Sequence, residues 1–119
     1  MYKIILLMML VVMSNSAAIA GNLEDGVGAY KKNNYAQALE LLRPIAEEGN
    51  AAAQGLLGRM YLRGEGVTKD YQEAAKWHRL AAEQGDTYSQ YNLASSYFYG
   101  MGVSQNYQEA AKWYRLSAD

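Results

Sequence analysis

Apolar residues recur at helical spacing through most of the chain. Residues 51–63 place their apolar side chains on one face at intervals of three or four positions, namely Ala53, Leu57, Met60 and Tyr61. Residues 71–84 show the same spacing. Their inward face is formed by Ala74, Trp77 and Ala81 and is extended by Tyr71 and Leu80. A period near 3.6 residues predicts two amphipathic helices.

Glycines and capping residues mark the ends of these predicted helices. The sequence "GEGV" at residues 64–67 follows the first helix, and its glycines can adopt the positive φ that terminates a helix. Asp70 then occupies an N-cap position, and Glu73 three residues later predicts a capping box, an arrangement repeated by Asn106 and Glu109. Gly85 closes the second helix and Asp86 caps the next one.

The helix pair recurs with a period of 36 residues. Trp77 and Trp113 are separated by this interval, and "GEGV" at residues 64–67 returns as "GMGV" at residues 100–103. A weaker copy comes first, since "YAQA" at residues 35–38 aligns with "YQEA" at residues 71–74. A period of this length indicates stacked supersecondary units. A phosphate-binding loop would need a preceding strand and a following Lys-Ser/Thr pair, so we interpret Gly-x-Gly as a helix-to-helix elbow.

The first unit departs from the later two at two points. Asn33-Asn34 forms a short turn where the later units have the longer Gly-x-Gly-Val elbow. Pro44 occupies the position of Leu80 and Leu116, and it cannot donate a backbone hydrogen bond to Glu40. We therefore expect a kink or an early 3₁₀ turn in that helix.

Composition and charge exclude several function classes. The formal net charge is −1 and the basic residues are scattered among acids, so nothing favours a nucleic-acid partner. The chain has no cysteine and one histidine, which excludes disulfides, a cysteine nucleophile and a His–His metal site within one chain. His78 aligns with Tyr114, which predicts a structural role at an amphipathic helix surface. No catalytic residue, metal or cofactor is expected.

The first twenty residues have the order of a secretory signal peptide. Lys3 precedes an apolar run over residues 4–13, and small residues at positions 18 and 20 allow cleavage after Ala20. The run is shorter than the roughly 20 residues that span a bilayer, so we expect no stable membrane insertion after cleavage. The alternative is an uncleaved N-terminal anchor. The expected location is periplasmic or secreted.

The motifs of the two later units resemble the Sel-one-like repeat (SLR) family, which is related to tetratricopeptide repeats. The resemblance lies in the motifs Leu57-Gly58…Tyr61, Gly64-Glu65-Gly66-Val67, Asp70, Ala74…Trp77 and Ala81-Ala82…Gly85. It divides the chain into a signal peptide (1–20), a tetratricopeptide-like helix pair (21–50), one SLR unit (51–86) and a second, incomplete one (87–119). The resemblance implies an all-α fold, a right-handed α-α superhelix or solenoid. The implied function is that of a non-catalytic scaffold for a protein or peptide partner in the bacterial envelope.

The first helix of each such unit would line the concave side and supply the binding surface. Opposite Leu57, residues 51–63 carry Gly55, Arg59, Leu62 and Arg63, and the equivalent positions of the next unit are Tyr88, Tyr91, Ser95, Phe98 and Tyr99. Our candidate partner-binding residues are Arg59, Arg63, Tyr88, Tyr91 and Tyr99, with the arginines facing acids of the partner. The alternative is that these aromatics pack against a neighbouring helix, which we favour for Phe98 and Tyr91.

Two other functions stay open. Some cysteine-rich members of the family carry a β-lactamase or penicillin-binding attribution, but this chain lacks both their cysteines and a Ser-x-x-Lys motif. The third function is a self-assembling structural subunit. The sequence "WYRLSAD" stops inside a predicted helix without a glycine cap, which predicts either a homo-oligomer through this uncapped end or a truncated member of a longer array.

Overall fold

The computed structural model describes residues 21–119, so the predicted signal peptide lies outside the described residues. Within this range the chain forms six helices and no strand. The helices are α1 (21–31), α2 (Tyr35–Glu47), α3 (Ala51–Arg63), α4 (Tyr71–Glu83), α5 (Thr87–Tyr99) and α6 (Tyr107–Ala118). From α2 to α6 the helices pack mainly on their chain neighbours, and α3 also contacts α5. The expected all-α solenoid of helix pairs is confirmed.

Side-chain caps begin four of the helices. Asn50 accepts the Ala53 N–H at 3.0 Å, and Asp86 accepts the Ser89 N–H at 2.9 Å. Asp70 accepts two N–H groups, from Gln72 and Glu73. These bonds satisfy donors that have no partner inside the helix. Asn106 caps α6 in the same way as Asp70 caps α4.

The predicted capping box is only half formed. In a capping box the glutamate at the third position accepts the N–H of the cap residue. Here the Asp70 N–H donates instead to the carbonyl of Tyr61 at 3.0 Å, and the Asn106 N–H donates to that of Tyr97 at 2.9 Å. The elbow therefore ties the start of each second helix to the last turn of the first, and this removes the need for the glutamate.

The Gly-x-Gly elbows meet two separate demands. Gly64 and Gly100 end their helices at φ of 69° and 68°, a conformation that costs an ordinary residue about 1–2 kcal/mol. Gly66 and Gly102 also have positive φ, at 74° each. In addition, a Cβ on Gly66 would lie 2.9 Å from the Cβ of Tyr35, and one on Gly102 would overlap the carbonyl of Tyr71. Each elbow thus lies against the first turn of the second helix in the preceding unit.

Two polar contacts recur between successive units. Arg43 on α2 donates to the hydroxyl of Tyr61 at 2.8 Å, and Arg79 on α4 donates to that of Tyr97. The side-chain amides make a second pair of bonds, Gln54 to the Ala46 carbonyl at 3.1 Å and Gln90 to the Ala82 carbonyl at 3.2 Å. Both contacts repeat after 36 residues, so the units are joined by the same geometry twice.

Alanines and two tryptophans form the apolar interior. Trp77 is 6 % exposed and packs with residues of α2 and α3, including Leu42, Leu57 and Met60. Trp113 is 7 % exposed and packs with Ala82, Leu93 and Ala94. Each indole therefore fills the space between two units.

Two expectations about side-chain position are wrong. Tyr71 and Leu80 were expected to face inward, but they are 39 % and 38 % exposed. Tyr71 begins α4 at the rim beside the Gly102 elbow, and Leu80 lies on the outer side of α4 near Val103. At Pro44, where we expect a kink or an early 3₁₀ turn, there is no 3₁₀ turn, and α2 continues as α-helix through Glu47.

His78 is buried, and its predicted position at a helix surface is wrong. The side chain is 1 % exposed and lies against Gly58, where a Cβ would come within 2.7 Å of the imidazole. Its Nδ1 is 3.5 Å from the Ser89 Oγ, and its Nε2 is buried without a hydrogen-bond partner. Burial lowers the pKa of His78 to about 4, and the charge of Asp86 opposes this shift. The structure thus holds a neutral imidazole between α3, α4 and α5.

We predict that Gly102→Ala destabilises the protein more than Gly85→Ala. Gly85 has a φ of 95° and open space around it, so alanine there carries only the backbone cost of about 1–2 kcal/mol. At Gly102 the displaced Tyr71 backbone adds about 1–3 kcal/mol. Urea unfolding of both variants measures the difference, and equal losses would show that the elbow contact does not hold the units together.

We also predict that His78 makes the protein less stable in acid. The unfolded chain protonates this imidazole below pH 6.5, whereas the folded chain does so near pH 4. Stability is therefore lost as the pH falls through this window, by up to about 3 kcal/mol. In His78→Leu this part of the loss should vanish, since Leu42 fills the equivalent position against Gly26. The test is urea unfolding of both proteins from pH 7 to pH 4, and parallel curves would contradict it.

Candidate functional site

The five candidate residues lie on the first helices of the second and third units. We call this surface the first-helix face and define it by the exposed side chains of α1, α3 and α5. Arg59 and Arg63 belong to α3, and Tyr88, Tyr91 and Tyr99 belong to α5. The structure divides four of these residues among three groups, and Arg63 lies exposed in the last turn of α3.

The first group lines a depression of about 260 Å³ between α3 and α5. Its lining residues are Ala52, Gly55, Leu56, Arg59, Asp86 and Tyr88. The sequence predicts Gly55 on the exposed face, but Gly55 is buried. The start of α5 covers it so closely that a Cβ on Gly55 would lie 3.1 Å from the Ser89 Oγ. The missing side chain lets the start of α5 approach α3, and this approach brings Arg59 and Tyr88 to one surface.

Arg59 is held by an aromatic ring from the first unit. Its Cζ lies 5.4 Å from the centroid of the Tyr30 ring, a cation–π distance. The Nε of Arg59 is buried and has no hydrogen-bond partner. The guanidinium is thus positioned mainly by packing, with hydrogen-bonding capacity left unused.

Tyr30 and Glu65 belong to the site, although the sequence did not indicate them. The Tyr30 hydroxyl donates to the carboxylate of Glu65 at 2.9 Å. Burial and this bond raise the pKa of Tyr30 to about 12, while the charges of Arg59 and Arg63 act in the opposite direction. The turn at residues 32–34 is shorter than the later elbows, which shifts α1 out of the 36-residue register and hides the position of Tyr30.

Tyr91 forms the second group with the last helix. Its ring meets the edge of the Tyr114 ring at a centroid distance of 5.5 Å, and the Tyr114 hydroxyl is 2.9 Å from the Ser95 Oγ. Tyr91 nevertheless remains 56 % exposed. The expectation that Tyr91 packs against a neighbouring helix is therefore confirmed for one edge, and the rest of the ring faces solvent.

Tyr99 lies in a third group at the far end of α5. Phe98 contacts Tyr99 at 4.9 Å and Tyr107 of α6 at 5.2 Å between ring centroids, so its expected packing is confirmed as well. Tyr99 is 66 % exposed and Tyr107 is 61 % exposed. Eleven residues separate Tyr99 from Tyr88, about 16 Å along a helix. The structure does not bring Tyr99 to the depression beside Arg59.

The charges of the two helices differ sharply. Arg59 and Arg63 are the only charged residues of α3, and residues 87–108 contain no charged residue at all. Across the part of the chain that the structure describes, no group of His, Cys, Asp and Glu side chains could hold a metal ion. The first-helix face therefore offers cations, aromatic rings and hydroxyls, which are groups suited to binding.

No helix among residues 21–119 is both long and apolar enough to cross a membrane. No curated protein matches this chain significantly.

Solved structures provide close matches to the fold. A Sel1 repeat protein from Oxalobacter formigenes is 43% identical, with a TM-score of 0.76 over 82% of this chain and 39% of its own. A protective antigen present in uropathogenic Escherichia coli strains, which displays an SLR fold, is 35% identical, with a TM-score of 0.80 over 88% of this chain and 23% of its own. This chain thus spans well under half the length of either protein.

A third solved structure supports the fold alone. Cysteine-rich protein B of Helicobacter pylori is 20% identical, with a TM-score of 0.66 over 85% of this chain and 86% of its own. The family model of the Sel1 repeat matches residues 16–50, 51–86 and 87–119, which include the stretch we interpreted as tetratricopeptide-like. These three matches cover most of the sequence, and the chain belongs to the Sel1 repeat family.

Proposed function

We propose that this protein is an exported, non-catalytic scaffold of the bacterial envelope that binds a protein partner on its first-helix face. The observation that carries the proposal is the depression lined by Arg59 and Tyr88, together with the exposed aromatic side chains of α5. Aromatic side chains and arginine are the usual anchors of protein interfaces. Sel1 repeats are in general protein-interaction modules, which supports the same function.

The proposal of export rests on the signal-peptide pattern of residues 1–20. The proposed location of the protein is the periplasm or the outside of the cell. The structural relative in uropathogenic Escherichia coli is a protective antigen, a role that fits a protein reaching the host. We predict that the mature protein begins at Gly21. The test is expression with a C-terminal tag, cell fractionation and N-terminal sequencing. A tagged protein that stays in the cytoplasm with residues 1–20 attached would contradict export.

The binding function is tested by capture from envelope extract. The variant Arg59→Gln with Arg63→Gln removes both cations of α3, and Lys76→Gln with Lys112→Gln is a control with the same loss of charge on exposed residues of α4 and α6. We expect wild type and control to retain a partner, and the arginine variant to bind it at least about tenfold more weakly, a loss of about 1.4 kcal/mol. Circular dichroism checks that all three proteins fold.

Other outcomes would redirect the proposal. Equal binding by both variants would place the interface elsewhere. Hydrolysis of a β-lactam by the purified protein would favour the enzymatic alternative. If no partner is captured and the size increases with concentration, a self-assembling subunit becomes the better candidate, and exposed Tyr107 and Leu116 on α6 would provide its apolar contact.

A further inference from the structure

A second depression, of about 310 Å³, lies between α4 and the second Gly-x-Gly elbow, and we call it the α4 pocket. Its lining residues are Gln72, Ala75, Lys76, Arg79, Leu80, Gly102 and Val103. We propose that the α4 pocket binds one large aliphatic side chain, such as leucine, from a partner segment that has no basic residue beside it. This binding surface goes beyond the proposed function, because none of its lining residues belongs to the first-helix face.

The first unit fills the corresponding space with a side chain of its own. Ala75 and Val103 are the equivalents, 36 residues later, of Leu39 and Val67. Leu39 and Val67 are partly buried and pack against the apolar core of the first two units. Alanine lacks the branched end of leucine, and Val103 lines the open α4 pocket instead. Because the contacts between units repeat, the second interface leaves open a space that a leucine occupies in the first.

The size and the lining of the α4 pocket suit an apolar side chain. Ala75 is buried, Leu80 is 38 % exposed and Val103 is partly buried. An apolar cavity of about 150 Å³ already holds a benzene molecule, so the α4 pocket has room for one large aliphatic side chain. Binding removes the apolar surface of Leu80, of Val103 and of the partner from water, which favours the complex.

The charges around the α4 pocket exclude a basic neighbour in the partner segment. Lys76 and Arg79 line it, whereas the two glutamates of α4 do not. Both cations contact uncharged groups, since the Lys76 Nζ lies 5.8 Å from the centroid of the Trp77 ring and Arg79 donates to the Tyr97 hydroxyl. These contacts position the cations without neutralising their charge. A lysine or arginine next to the bound aliphatic residue is therefore repelled.

The experiment is a subtractive selection from a library of random short peptides displayed on phage. The library is first depleted on Ala75→Leu, in which the new side chain fills the space as Leu39 does in the first unit, and is then selected on the wild-type protein. Depletion removes peptides that bind elsewhere, including those that bind the first-helix face. We expect the enriched peptides to share a leucine, isoleucine or methionine without lysine or arginine at either adjacent position.

Fluorescence anisotropy of synthetic versions of these peptides then tests the α4 pocket itself. Ala75→Leu, or serine in place of the shared aliphatic residue of the peptide, should weaken binding at least about tenfold. Ala111→Leu is the matched control, because it makes the same change at the equivalent, exposed position of α6. This control and the variant Arg59→Gln with Arg63→Gln should both bind the peptides as the wild type does.

Thermal unfolding checks the fold of Ala75→Leu, which should melt at or above the wild-type temperature because a filled depression adds apolar contacts. If it melts lower, Leu80→Ser takes its place in both steps, since it removes an apolar lining residue without adding bulk.

The inference is overturned if no peptide is enriched after depletion, or if the enriched peptides share no aliphatic residue or carry basic residues beside it. Equal loss of binding in Ala75→Leu and Ala111→Leu overturns it as well. None of these outcomes bears on the proposed function, which envelope capture tests through Arg59 and Arg63.

Discussion

The close approach of each Gly-x-Gly elbow to the preceding unit sets the geometry of the whole stack. Gly66 lies on the first turn of α2 and Gly102 on the first turn of α4, with no room for a side chain between them. This contact fixes both the distance and the register between units. The indoles, the arginine–tyrosine bonds and the glutamine–carbonyl bonds then repeat after 36 residues because the backbones repeat. A side chain at either glycine would therefore disturb the contacts of its own interface together.

Because the backbone is fixed, the side chains on the first-helix face can differ from one unit to the next. At equivalent positions the second unit has Gly55 and Arg59, whereas the third has Tyr91 and Ser95. The glycine opens a depression beside the arginine, and the tyrosine fills the corresponding space with a ring. The same scaffold therefore presents a recess lined by an arginine and an aspartate in one unit and an uncharged aromatic surface in the next. Under the proposed function, differences between repeats would carry the binding specificity, and the repeat motif itself would not.

The sequence predicted the elements that depend on local chemistry. Helices, elbows and caps follow from apolar spacing, from glycines with positive φ and from Asp or Asn at helix starts, and the structure confirms them. The errors concern contacts between elements. His78 aligns with Tyr114 and was placed at a surface, but the space that buries it is created by Gly58, for which the third unit has Ala94. Likewise, the contact of Tyr30 with Arg59 links two units across a shortened turn, where periodicity gives no guidance.

The pairing of Gly58 with His78 limits how the units can be exchanged. These residues occupy the two helices of one unit, as do Gly26 with Leu42 in the first unit and Ala94 with Tyr114 in the third. Moving α5 into the place of α3 would set the methyl group of Ala94 against the imidazole, where even a Cβ has no space. Duplication or recombination that carries a whole helix pair preserves the match, whereas exchange of a single helix destroys it. The smallest unit that evolution or protein engineering can shuffle in this array is therefore the complete helix pair.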